Sequence, residues 1–75
     1  MTAEKHIKVT GYSNISWKDA IVRTIEEAAL TLNRLSCITI LEQKARINNN
    51  KIVEYMVDLD ISFFIEPPNT NNANI

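Results

Sequence analysis

In one stretch only, apolar residues recur at helical spacing. Ile21, Ile25, Ala28, Leu32 and Leu35 step by four, three, four and three residues, which stacks them as one stripe and predicts a helix from Ser16 to Leu35. Arg23, Thr24, Glu26, Glu27, Thr31 and Arg34 fall off that stripe and are expected to face water. Ser16 is suited to cap the first turn, with Asp19 placing negative charge at the positive pole of the helix dipole. Arg34 would complement the opposite pole, and Ser36 with the β-branched run after it ends the helix.

Elsewhere the pattern has a period of two. His6, Lys8 and Thr10 alternate with Ile7 and Val9 until Gly11 breaks the run, a short strand with one wet face. A second strand, Cys37 to Ile47, alternates imperfectly, so it is expected to bulge or to run past the core edge after Leu41. Asn48, Asn49 and Asn50 supply a hairpin turn, because Asn tolerates left-handed backbone. The third strand is the most regular: Val53, Tyr55, Val57, Leu59, Ile61, Phe63 and Ile65 share one face, with Glu54, Met56, Asp58, Asp60, Ser62 and Phe64 on the other. These elements predict an α+β fold of βαββ order, in which a three-stranded antiparallel sheet, third strand central, wraps around one helix. Residues 1–66 form the expected single domain. Pro67 to Ile75, with two prolines and four asparagines, reads as a flexible tail.

Composition narrows the function. One helix covers one face of three strands, and a chain of 75 residues buries a modest core, so a homo-oligomer is expected. Met56, Ile52 and Phe64 on the far sheet face, with Trp17 and Leu30 off the helical stripe, mark candidate subunit contacts. Eight basic and nine acidic residues give a formal charge of −1, which disfavours nucleic acid and anionic membrane as partners. The single Cys37, the absence of a secretory h-region after Met1 and the lack of a membrane-length apolar run point to the cytoplasm, where the formal sequon at Asn14 would stay unused. No phosphate-binding loop is expected with a single Gly, and no nucleophile and base or metal-ligand spacing is in view, so no catalytic or metal residues are assigned.

Ser16-Trp17-Lys18-Asp19-Ala20 opening a single helix, the hairpin after it, Glu54-Tyr55 and the closing Ile61-Ser62-Phe63 resemble the dodecins over Lys5 to Glu66. The resemblance implies a βαββ subunit assembling into a hollow dodecamer that stores or sequesters a flavin, FMN or riboflavin, without catalysis. It also implies that a Trp early in the second strand stacks on the isoalloxazine ring and that a Gln in the third strand bonds its polar edge. Those positions are Cys37 and Met56 here. A thiol has no flat π-surface, and a thioether cannot replace an amide's paired donor and acceptor. Each loss is worth about 1 to 3 kcal/mol, so the usual flavin mode is expected to be weak. A flavin-free structural or ion-binding cage and a lower-order interaction module are the alternatives.

Single residues carry less. Trp17, in the first helical turn, is read as packing, and Cys37 as a small buried or interface residue that with Met56 could line an altered ligand pocket. His6 is expected to be solvated. Glu54, Asp58 and Asp60 could gather a hard cation around a symmetry axis, but pairing with Lys44, Arg46 and Lys8 is the simpler expectation.

Overall fold

A computed structural model of the chain describes residues 3–32 and 34–65; the tail expected over 67–75 lies outside them. The elements are β1 (Ala3–Ser13), α1 (Trp17–Thr31), β2 (Leu35–Asn48) and β3 (Lys51–Ile65). The sheet order is β1-β3-β2, and β3 is antiparallel to both neighbours, as the alternation predicted.

The helix begins where its cap was expected. The Ser16 hydroxyl accepts from the Asp19 N–H at 2.9 Å. Ser13, at the end of β1, donates its hydroxyl to the Asp19 carboxylate at 2.6 Å and accepts from the Ile15 N–H at 2.9 Å, which ties strand to helix across three residues of turn. The other end differs from the expectation. Leu32 is extended, Arg34 adopts φ 59, and the helix stops at Thr31. Leu35 fits a helical stripe and a strand equally well, and pairing opposite Phe63 places it in β2. Arg34 is therefore not in the last helical turn, and its carbonyl accepts the Phe64 N–H at 3.1 Å.

Gly11 does not break β1. The strand continues to Ser13, and Gly11 is buried beneath the helix. A Cβ at Gly11 would collide with Thr24 Oγ1 and lie 3.1 Å from Thr24 Cβ and 3.2 Å from the Ala20 carbonyl oxygen. Gly is required here for close approach, and the seated face of the helix turns toward Ala20 and Thr24. Thr24, expected in water, is buried, and its hydroxyl donates to the Ala20 carbonyl at 2.7 Å, satisfying the group that burial would otherwise strand.

Ala20, Val57, Leu59 and Ile61 are fully enclosed, with Ile7, Val9, Trp17, Ile21, Ala28, Leu35 and Ile38 packed around them. The core stops there for a geometric reason. The 15 residues of α1 span ~22 Å, whereas the 15 of β3 run ~50 Å. The helix covers the middle of the long apolar face and leaves Val53 exposed. Trp17 packs against this core, as its place in the first turn predicts: its ring meets Tyr55 edge-on at 4.8 Å, and Nε1 donates to the Lys44 carbonyl at 2.8 Å. Leu30, by contrast, is 83% exposed.

β2 shifts register between Leu35 and Cys37, between Ile40 and Glu42 and between Arg46 and Ile47. The middle shift is the irregularity expected near Leu41, and the hairpin also runs past the core edge. Asn49 and Asn50 both take positive φ, as a two-residue primed turn needs, while Asn48 stays in the ladder opposite Lys51.

Gly11→Ala is expected to cost about 1 to 3 kcal/mol by overpacking. Adding Thr24→Ala should return part of that cost, since one of the colliding groups is removed while the Ala20 carbonyl stays. Urea unfolding midpoints of the single and double variants measure both effects.

Candidate functional site

The sheet face away from the helix carries the chemistry. Alternation places Glu4, His6, Lys8, Thr10 and Tyr12 of β1 there, opposite Phe64, Ser62, Asp60, Asp58 and Met56 of β3. From β2 come Cys37 opposite Ser62, Thr39 opposite Asp60, Glu42 opposite Asp58, Lys44 opposite Met56 and Arg46 opposite Glu54.

The middle of this face is a lattice of paired charges. Asp58 accepts from the Thr10 hydroxyl at 2.9 Å and from Lys44 at 3.3 Å. Asp60 meets His6 Nδ1 at 2.9 Å, so His6 is bonded rather than only solvated. Glu54 accepts from Arg46 Nε at 3.0 Å. Lys44 and Arg46 thus pair with carboxylates as expected, while Asp60, opposite Lys8 in the ladder, bonds His6 from the neighbouring position. Each of the three carboxylates already holds a donor, and among the described residues no cluster of His, Cys, Asp and Glu is arranged to bind a metal.

Of the two altered pocket positions, Met56 lies within this lattice, between Glu54 and Asp58 along β3, whereas Cys37 lies past its Asp60 end. Met56 is half-buried between Tyr12 and Lys44, and its Sδ accepts weakly from Arg46 Nη2 at 3.7 Å. Cys37 is a free, exposed thiol. It is not buried within the subunit, because the register shift after Leu35 turns it to the side that the helix does not cover. Its strand partner Ser62 stands six residues from Met56 along β3, a separation of ~20 Å. One subunit does not bring the two together.

Around Cys37 a second polar group gathers. Ser36 donates to Glu4 at 2.6 Å and lies 3.2 Å from Ser62, whose hydroxyl donates to the Cys37 carbonyl at 3.2 Å. Beside it the Arg34 guanidinium lies 5.5 Å over the Phe64 ring. Sequence reasoning missed this pairing because Arg34 was placed on the helix. The signal was present in the alternation, which sends Phe64 to the far face.

The dodecin family model matches residues 4–66, and the chain belongs to the dodecin family. An arginine-to-alanine mutant of the dodecin of T. thermophilus is 25% identical, with a TM-score of 0.84 over 89% of this chain and 100% of that one. Dodecin from Streptomyces davaonensis is 21% identical, with a TM-score of 0.83 over 88% and 97%. A third similar structure is described as calcium dodecin, a calcium-chelating immunodominant antigen from Mycobacterium tuberculosis with a novel calcium-binding site; it is 23% identical, with a TM-score of 0.76 over 88% and 94%. Comparison with curated proteins gave no match. No helix among the described residues is long and apolar enough to cross a membrane.

The lattice sets an acid limit. The Thr10 hydroxyl, and after it Lys44, holds Asp58 below its ordinary 3.8 against the opposing effect of burial. The Ser13 hydroxyl, and after it Arg23, does the same for Asp19. A carboxylate whose folded pKa is depressed adds stability above its unfolded pKa and loses it as pH falls through the folded value. The share of stability that these two carboxylates supply should therefore be complete above about pH 5 and decline below 3.8. Asp19→Asn and Asp58→Asn should each be less stable at neutral pH and show a shallower acid decline in melting curves.

Proposed function

We propose that this dodecin is a non-catalytic homo-oligomer, a cytoplasmic dodecameric cage that holds a small ligand between subunits in a mode other than tight flavin stacking. One domain over residues 1–66 forms the wall. The observation that carries the reading is the ~20 Å between Cys37 and Met56 on one subunit. A pocket lined by both positions requires at least two copies of the chain.

The uncovered apolar surface supports assembly. Ile40, Leu41, Ile47, Ile52 and Val53 on the β2–β3 hairpin are each more than two-fifths exposed in the isolated subunit. Apolar groups spread along an arm that outruns its own helix are suited to burial against a neighbour. The pairing of Glu54, Asp58 and Asp60 with their own donors argues against an ion-binding cage as the primary role. FMN and riboflavin are the family ligands to test first, and Cys37 with Met56 supports weak, reversible binding of either.

Native mass spectrometry of freshly purified protein tests the assembly and any ligand that travels with it. A dodecamer without flavin mass is the expected spectrum; a monomer or dimer at working concentration would replace the cage with a lower-order interaction module. The double change Cys37→Trp with Met56→Gln should raise flavin affinity at least tenfold, read as quenching of flavin fluorescence. An unchanged affinity in a protein that still assembles would show that these positions do not line the pocket.

A further inference from the structure

We infer that the tip of the β2–β3 hairpin of one copy seats in the trough between β1 and α1 of a second copy. This inference rests on the homo-oligomer reading above and deepens it by naming the surface that the exposed hairpin covers. β1 is an edge strand whose outer side has no ladder partner among the described residues, and its pairing with β3 runs its full length without a register shift. A regular edge of this kind attracts another chain unless it is covered. Between it and the flank of α1 lie two cavities of about 500 and 400 Å³, which share Thr10, Thr24 and Glu27 and so form one trough. Ile7, Val9, Ala28 and Leu32 line its apolar stretch. Glu26 and Glu27 border it and are exposed, while Arg23, the cation in its lining, is held by Asp19 at 2.8 Å. The border is therefore negative.

The hairpin supplies the matching shape and charge. Trp17, in the first turn of α1, reaches Tyr55 and the Lys44 carbonyl, so the stretch from Lys51 to Glu54 lies beyond the helix. That stretch spans ~13 Å, and Ile7 to Tyr12 along the trough spans ~20 Å. The tip fits within the trough. Ile47, Ile52 and Val53 at the tip are exposed apolar groups, and Lys51 adds an exposed positive charge at the turn. Arg46 neutralises Glu54 at 3.0 Å, which leaves the tip net positive against the negative border. Held in its own ladder, the hairpin cannot fold back onto the trough of its own subunit, so the occupant is a second copy. Such a contact uses a different surface on each partner, and head-to-tail contacts of this type close into rings when the rotation permits.

Crosslinking within oligomers co-assembled from light- and heavy-nitrogen chains tests the docking. A carbodiimide joins a lysine amine to a carboxylate in direct contact, and a light–heavy crosslink from Lys51 to Glu26 or Glu27 is expected. Lys51→Glu, and Glu26→Lys with Glu27→Lys, should each raise the concentration at which the oligomer dissociates about tenfold, because like charges then meet. Sedimentation reads that change, and the reversals combined should recover most of the loss. Val53→Ser, which removes apolar contact at an exposed position, should weaken assembly as well. Circular dichroism checks the subunit fold of each variant. A native protein that stays monomeric would remove the homo-oligomer reading and this docking with it. A native oligomer with no light–heavy crosslink at these residues, one whose dissociation neither reversal changes, or combined reversals that recover nothing would overturn the docking alone.

Discussion

The approach of the helix to the sheet at Gly11 is the constraint from which the rest of the subunit follows. Ala20 and Thr24 can rest on β1 only because the strand presents no Cβ at that point. That contact seats α1 over β1 and β3. Val57, Leu59 and Ile61 then fall beneath it and close the core. The same placement decides what stays open. A helix of ~22 Å set over those two strands cannot reach the turn of a ~50 Å hairpin. The outer hairpin therefore keeps its apolar residues exposed in the isolated subunit.

Element type was legible wherever one period dominated. The helix start could be read from Ser16 and Asp19, the antiparallel order from the regularity of β3, and the hairpin from its asparagines. Misreadings came from residues that satisfy two patterns at once. Leu35 continues the helical stripe and also begins a strand, and only the partner across the ladder chooses between them. Gly11 and Thr24 were each assigned by their local preferences, as breaker and as surface residue. Their actual roles depend on each other across a tertiary contact, which no single-residue preference contains. Ser13 is a similar case: its bridge from β1 to Asp19 involves a residue that carries no periodic signal.

The candidate site was legible by position and not by geometry. Alternation along β3 sends Met56 and Phe64 to the side away from the helix, and the structure keeps both there. What periodicity omits is distance. Residues on one face of a strand look equivalent in sequence, yet six positions separate Met56 from the partner of Cys37. Between them lies a band in which Asp58 and Asp60 meet Thr10, Lys44 and His6. That band satisfies its own charges. It divides the face into two chemically distinct ends, one built around a thioether and one around a thiol, a stacked cation and an aromatic ring.

The residues that specify the fold and those that would specify a ligand are separate sets. Gly11, Ser13, Ser16, Trp17 and the enclosed side chains of β3 fix the subunit, and none of them lies at Cys37 or Met56. Cys37 is exposed and Met56 half-buried, so a change of side chain at either place leaves the core packing untouched. Substitution there is structurally inexpensive. Ligand preference in such a scaffold is therefore to be sought in the side chains that crowd the ends of the open sheet face. Kinship of fold does not determine it.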